Sequence, residues 1–123
     1  MIMKGKKGII LGIANKKSIA YGVAKACKEQ GAEMAITFLN ERFERKLAPI
    51  AEDLECGARF YPCDVSKPEE IKALKESIEQ DMGQIDFIVH SIAFAPKEGL
   101  GGRFINIPKD AFDVAMDISV YSL

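Results

Sequence analysis

The sequence predicts an α/β fold, a doubly wound parallel sheet with element order βαβαβαβα and strand order 3-2-1-4. Three observations predict it. Four short strand-like runs alternate with stretches whose apolar residues recur at helical spacing, glycine or proline marks most changeovers, and 123 residues of 48% hydrophobic content supply one domain core but not two.

Each element follows from its own residues. Residues 8–12 are a short apolar run stopped by Gly12, a buried strand whose turn runs on to Lys17. From Ser18 the spacing turns helical, with Ile19, Val23 and Cys27 along one face and Gly31 where a helix end wants a left-handed residue. Residues 33–38 return to strand character. Phe43, Leu47, Ile50 and Leu54 then recur at three to four positions, so 41–55 should form an amphipathic helix that Pro49 kinks or breaks. A third strand lies at about 59–62 and ends at Cys63-Asp64-Val65. Ser66-Lys67-Pro68-Glu69 then offers a capping box with proline in the permissive first turn, and Ile71, Leu74, Ile78 and Met82 carry the helix. Gly83 closes it, residues 85–91 form a fourth strand, and a loop with Gly99, Gly101 and Gly102 leads to a last helix starting near Lys109. Right-handed crossovers put helices on both faces of the sheet. This is the Rossmann-type arrangement, in which ligands settle at the strand carboxyl ends, in the crevice between strands one and four.

Opposite charges nearly cancel, with 17 Lys and Arg against 18 Asp and Glu. Without a basic stripe, neither nucleic acid nor a membrane surface is an expected partner, which leaves a small molecule or a protein. Cys27, Cys56 and Cys63 are odd in number and scattered, matching neither a disulfide framework nor a zinc site, so a reducing cytoplasm fits and no metal is expected. The opening Met1-Ile2-Met3-Lys4-Gly5-Lys6-Lys7 starts like a charged leader. Its apolar run, 8–14, is short and meets Asn15-Lys16-Lys17-Ser18 instead of a small-residue cleavage site, so it reads as a lead-in to the first strand. No apolar stretch nears the roughly 20 residues that a bilayer-spanning helix needs.

Gly12-Ile13-Ala14-Asn15-Lys16-Lys17-Ser18-Ile19-Ala20 sits where the first strand hands over to the first helix, the place at which helix-end N–H groups meet a diphosphate. A literal G-x-G-x-x-G is absent, and a glycine before a helix is often only a turn; its position in the first βα unit argues for the phosphate role. Ser18 reads either as cap and phosphate ligand together or as a plain cap, while Ala20 and Gly22 are small enough for helix and sheet to approach closely. His90, the single histidine, lies within an apolar strand run and reads as a hydrogen-bonded structural residue rather than a catalytic one.

Gly12-x5-Ser18-Ile19-Ala20-x-Gly22, Cys63-Asp64-Val65, His90-Ser91-Ile92-Ala93-Phe94-Ala95-Pro96 and Asp117-Ile118-Ser119-Val120-Tyr121-Ser122 follow one another in an order that resembles the bacterial enoyl-acyl-carrier-protein reductases. These form a divergent branch of the short-chain dehydrogenase/reductases. The similarity runs from about Lys4 to Leu123. It implies the fold given above and reduction of a trans-2-enoyl thioester, in fatty acid synthesis, by NADH or NADPH. Residue by residue, it implies that Gly12, Ile13, Ser18 and Ile19 hold the pyrophosphate and adjoining ribose. Asp64 and Val65 would flank the adenine, with the Asp64 carboxylate accepting from its exocyclic amine; the plainer reading of Asp64 is a loop or cap carboxylate. Ser91, Ile92 and Ala93 would lie beside the ribose and nicotinamide, with Phe94 and a substrate-binding Ala95 opening toward the substrate. Ala93 departs from the glycine frequently found there, so a methyl group occupies that wall.

Leu39, ending the second strand, stands where many dinucleotide folds place an acidic residue for the ribose 2′-hydroxyl. No basic residue immediately follows the strand, which favours NADH, although Arg42 and Arg45 remain candidates to reach a 2′-phosphate. Tyr21 with Lys25 imitates the Tyr-x3-Lys dyad of short-chain dehydrogenases, and Tyr21 with Lys28 the wider Tyr-x6-Lys spacing of the enoyl reductases. Both pairs sit on the helix that begins at the pyrophosphate, whereas a proton-donating tyrosine must stand near the nicotinamide and the substrate carbonyl.

In the family the catalytic tyrosines and lysine come from the strand and helix that follow, whereas this chain ends at Tyr121-Ser122-Leu123 inside its last predicted helix. The expectation is that residues 1–123 are the N-terminal part of a single dinucleotide-binding domain, with no catalytic residue, an exposed edge at the fourth strand and no turnover by this polypeptide alone. The whole protein is expected to act on an enoyl-acyl-carrier protein as a cytoplasmic homo-oligomer, a homotetramer by the resemblance. Two alternatives stand beside this reading: a non-catalytic NAD-binding module, and another short-chain oxidoreductase such as a ketoacyl reductase. Against the second are Ser91-Ile92-Ala93, where the commoner members carry Asn-Asn-Ala-Gly, and Ser119, where they carry an asparagine.

Overall fold

Ile9 and Ile10 point to opposite faces of β1 (Lys7–Leu11), and each is buried in a different half of the core. The computed structural model describes residues 1–94, 100–102 and 106–123. They divide into two compact units, Met1–Ser91 and Ile92–Leu123. The first unit holds the sheet. After β1 come α1 (Ile19–Glu29), β2 (Glu33–Phe38), α2 (Glu41–Asp53), β3 (Phe60–Pro62), α3 (Pro68–Asp81) and β4 (Phe87–His90). All pairings are parallel and the order is β3-β2-β1-β4, the topology that the sequence predicts.

Period-two alternation sorts the side chains. Ile10, Met34, Ile36 and Phe38 face Ala20 and Ala24 of α1 and Leu47, Ile50 and Ala51 of α2, while Ile9 and Ala35 face Ile78 of α3 and Met82 beyond it. Because both faces are covered, β2 is buried without a break from Met34 to Phe38 rather than at alternate residues. β4 pairs with β1 alone among the described residues and forms one edge of the sheet.

Four local expectations are corrected. First, α1 does not bury a face built on Ile19: that side chain is 80% exposed, and the buried residues are Ala20 and Ala24. The small alanines let the helix lie close to the sheet, a contact that a larger residue would prop open. Gly22, expected to share this role, is exposed in open space. Second, α2 runs through Pro49 to Asp53. Pro49 lies on the exposed side, while Leu47, Ile50 and Ala51 anchor the opposite side and hold the helix to the sheet.

Third, the capping box does not form. Lys67 is the N-cap of α3 without a side-chain bond, Pro68 takes the first helical position, and the Ser66 hydroxyl instead donates to Asp64 Oδ1 at 2.6 Å. Proline fixes its own φ at a helical value, which sets the start of the helix one residue later than the box requires. Fourth, β4 begins at Phe87 rather than 85. Just before it, the Asp86 carboxylate accepts the Lys7 N–H at 2.8 Å, taking the place of a strand partner.

Gly31 is left-handed, with φ +93, as the helix end requires. The lead-in segment docks beside it, the Met3 N–H donating to the Gln30 carbonyl at 2.9 Å. Cys56 and Cys63 are buried and Cys27 half-buried, all as free thiols. In the second unit, α4 (Lys109–Met116) starts where expected and continues into a π-helical turn, Asp117–Tyr121. Of the expected glycine-rich loop, residues 95–99 and 103–105, Ala95 included, lie outside the described residues. No helix among the described residues is long and apolar enough to cross a membrane.

Candidate functional site

A parallel sheet brings the carboxyl ends of its strands to one edge, so Gly12, Leu39, Asp64 and Ser91, which follow β1 to β4, collect there. The chain leaves β1 for β2 on one side and returns to β4 on the other, which makes the β1–β4 boundary the topological switch. Gly12 and Ser91 meet at that boundary. The Ser91 N–H donates to the Leu11 carbonyl at 3.0 Å. Gly12 has φ +107, and a Cβ there would stand 2.0 Å from the Ser91 carbonyl oxygen. Glycine is needed both for the backbone angle and for the space.

Asn15 organises the turn that follows. Its Oδ1 accepts the Lys17 N–H at 2.7 Å, and its carbonyl accepts the Ser18 hydroxyl at 2.7 Å and the Ser18 N–H at 3.1 Å. Ser18 in turn caps α1, its oxygen accepting the Tyr21 N–H at 3.3 Å. The N–H groups of Ile19 and Ala20 open the helix and have no carbonyl four residues back within it. Sequence reasoning passed over Asn15; the signal was an asparagine two residues ahead of a main-chain N–H in a turn.

Of the residues expected around a pyrophosphate, Ile13 sends its side chain into the core, leaving its backbone at the turn. Ile19 is 80% exposed, and Leu39, at the end of β2, is 48% exposed. The carboxyl edge therefore keeps two large apolar side chains in water. Asn40, next to Leu39, caps α2 by accepting the Phe43 N–H at 3.2 Å. It was also missed, although asparagine directly before a periodic helix is a start signal.

Asp64 and Val65 are half-buried after β3. Asp64 Oδ1 accepts both the hydroxyl and the N–H of Ser66, at 2.6 and 3.0 Å, and the Asp64 N–H donates to Glu70 Oε1 at 3.1 Å. The Ser66 hydroxyl holds the Asp64 carboxyl below the usual carboxylate range, against a smaller opposing push from burial. Beside it, burial and then the charges of Glu70 and Asp64 push the Cys63 thiol up to about 11, so it stays neutral. A depressed carboxyl contributes stability that is present above its unfolded value of about 4 and is lost as pH falls through the lower folded value. Replacing Ser66 by alanine is expected to raise the Asp64 pKa and to reduce that acid-side contribution, the position 66 N–H remaining as a donor; a carboxyl-carbon NMR titration of both proteins measures the change in pKa.

His90 is half-buried and pairs in register with Leu11. Neither tyrosine–lysine imitation forms a dyad: Tyr21 packs against the core, Lys25 is exposed, and Lys28 Nζ donates to the Asp53 carbonyl at 2.7 Å. In the second unit Ile92 is half-buried and Ala93 and Phe94 are exposed. Ser119 Oγ accepts the Phe94 N–H at 3.0 Å and donates to the Phe94 carbonyl at 3.2 Å. Among the described residues no group of three His, Cys, Asp or Glu is placed to hold a metal ion.

A β3-β2-β1-β4 parallel sheet, with a capped helix opening from a glycine turn after its first strand, defines a Rossmann-type α/β protein. Similarity to known proteins narrows the class. The family model described as enoyl-(acyl carrier protein) reductase matches residues 12–123, and the chain belongs to that family. It is 44% identical over 122 residues to the NADH enoyl-[acyl-carrier-protein] reductase FabI of Aquifex aeolicus, covering 99% of this chain and 45% of the relative. To the NADPH enzyme FabI of Staphylococcus aureus it is 43% identical, covering 98% and 48%. A crystal structure of the Anaplasma phagocytophilum reductase in complex with NAD matches with TM-score 0.95 and 43% identity, over 99% of this chain and 46% of that one. The chain thus spans about half the length of the curated relatives it matches.

Proposed function

We propose that residues 1–123 are the N-terminal, cofactor-binding part of a single dinucleotide-binding domain in an enoyl-acyl-carrier-protein reductase that uses NADH. The observation that carries this reading is the capped N-terminus of α1, with open Ile19 and Ala20 N–H groups, beside the Gly12–Ser91 approach at the switch point. The donor set suits a dinucleotide. Main-chain N–H groups and Ser18 answer a diphosphate, Ile19 and Leu39 offer apolar surface, and Asp64 supplies an acceptor for an exocyclic amine.

In this assignment Gly12, Ile13, Ser18 and Ile19 hold the pyrophosphate and adjoining ribose, Ile13 through its backbone. Leu39, Asp64 and Val65 bound the adenosine end. Ser91, Ile92 and Ala93 lie along the ribose and nicotinamide, and Ala95 reaches the substrate. When bound, the nicotinamide supplies the hydride that reduces the enoyl double bond. NADH is favoured over NADPH because Leu39 carries no group for a 2′-phosphate, and the Aquifex relative's name carries NADH. The catalytic tyrosine and lysine are assigned to a part of the protein other than these residues. The apolar side chains that α4 leaves exposed, Phe112 and Met116, suit self-association of a cytoplasmic enzyme.

Two measurements test this. The protein as its source makes it is expected to consume NADH with a trans-2-enoyl thioester and not with a 3-ketoacyl thioester; the reverse preference would reassign it to the ketoacyl reductases. The 123-residue chain is expected to bind NADH in calorimetry without turnover, and robust reduction by it would refute the placement of the catalytic groups elsewhere.

A further inference from the structure

The two serines of the last turn use their hydroxyls differently. Ser122 Oγ donates locally, to the carbonyl of Ile118 four residues back, the usual habit of a helical serine. Ser119 instead reaches a residue 25 positions away and engages both polar groups of its backbone, taking the Phe94 N–H at 3.0 Å and giving its proton to the Phe94 carbonyl at 3.2 Å. One hydroxyl that accepts from and donates to the same residue fixes the orientation of both flanking peptide planes, since turning either loses a bond. The turn is π-helical, with the Ser122 N–H reaching the Asp117 carbonyl five residues back, a geometry that is rare and concentrates at functional places.

We infer that Ser119 is a positioning residue that sets the backbone of Phe94, and through it the course of Ile92 and Ala93, so that these line the nicotinamide and thioester in reactive register. The inference rests on the reductase reading above. It predicts a loss of rate rather than of cofactor affinity, because both bonds of the Ser119 hydroxyl go to the Phe94 backbone.

The test uses the protein as its source makes it, as wild type, Ser119→Ala and Ser119→Thr, with NADH titrated by fluorescence and a short trans-2-enoyl thioester as substrate. Ser119→Ala is expected to lower kcat about tenfold, with Kd for NADH within about twofold, as small misplacements of reacting groups do. Ser119→Thr, which keeps the hydroxyl, should recover most of the rate. Amide exchange at Phe94 should quicken in the alanine variant alone. An active wild type with an alanine variant of unchanged kcat, or with kcat lost equally in the threonine variant, overturns the positioning role. A wild type that neither binds NADH nor reduces the thioester overturns the reductase reading itself.

Discussion

Replacing Gly12 by alanine is expected to lower stability by about 3–5 kcal/mol, one of the two largest effects that this structure predicts. Two costs add. Holding a residue with a Cβ at φ +107 is strained by itself, on the order of 1–3 kcal/mol. The added methyl would also stand 2.0 Å from the Ser91 carbonyl oxygen and 2.6 Å from its carbon, and both are backbone atoms of the segment leaving β4. They cannot rotate away, so β1 and β4 must part at the switch point. Gly8 provides the control. A Cβ there would meet the Phe87 ring at 2.2 Å, a side chain packed against the core that must shift but can do so without moving backbone, so Gly8→Ala should cost roughly 1–3 kcal/mol. Equilibrium urea unfolding of the three proteins checks the order. A Gly12→Ala protein no less stable than Gly8→Ala would mean that the approach of Gly12 to Ser91 constrains nothing.

The topology was legible because each of its causes is local. Strand runs such as 33–38 are set by burial on both faces, helix ends by Gly31 and Ser18, and the parallel order by the alternation of the two element types. What local pattern misjudged was which residues a helix presents to a sheet. Apolar size singles out Ile19 and Val23 on α1, but close approach selects Ala20 and Ala24 and leaves Ile19 in water. The capping box failed for a similar reason: Ser66, Asp64, Glu70 and Pro68 compete for one helix start, and spacing does not say which bond wins.

The candidate site divides in the same way. Gly12 was readable as a turn glycine, but the reason that only glycine fits is Ser91, brought beside it by two crossovers and the return to β4. Asn15 and Asn40 carried ordinary turn and cap signals and needed only attention to them. Ser119 stood out in the sequence only as a departure from an asparagine, and its bonds to Phe94 were not readable because that partner is remote in the chain. Side-chain bonds of that kind become visible only after folding.

Ser18 offers the sharpest division between scaffold and function, because its two readings predict opposite results for one substitution. Aspartate caps a helix about as well as serine, and its charge favours the positive end of the helix. Ser18→Asp should therefore keep the bond to the Tyr21 N–H but lose the donation to the Asn15 carbonyl, so its stability should fall by about 1 kcal/mol, no more than that of Ser18→Ala. The same carboxylate would face a bound diphosphate across the mouth of α1. Like charges placed together at a binding surface cost several kcal/mol, so NADH affinity should fall about 100-fold. Ser18→Ala should cost at least about 1 kcal/mol of stability, losing the cap as well, while adding no repulsion. If calorimetry instead finds that the aspartate protein binds NADH as tightly as wild type, Ser18 is a cap and nothing more, and the diphosphate must lie away from α1.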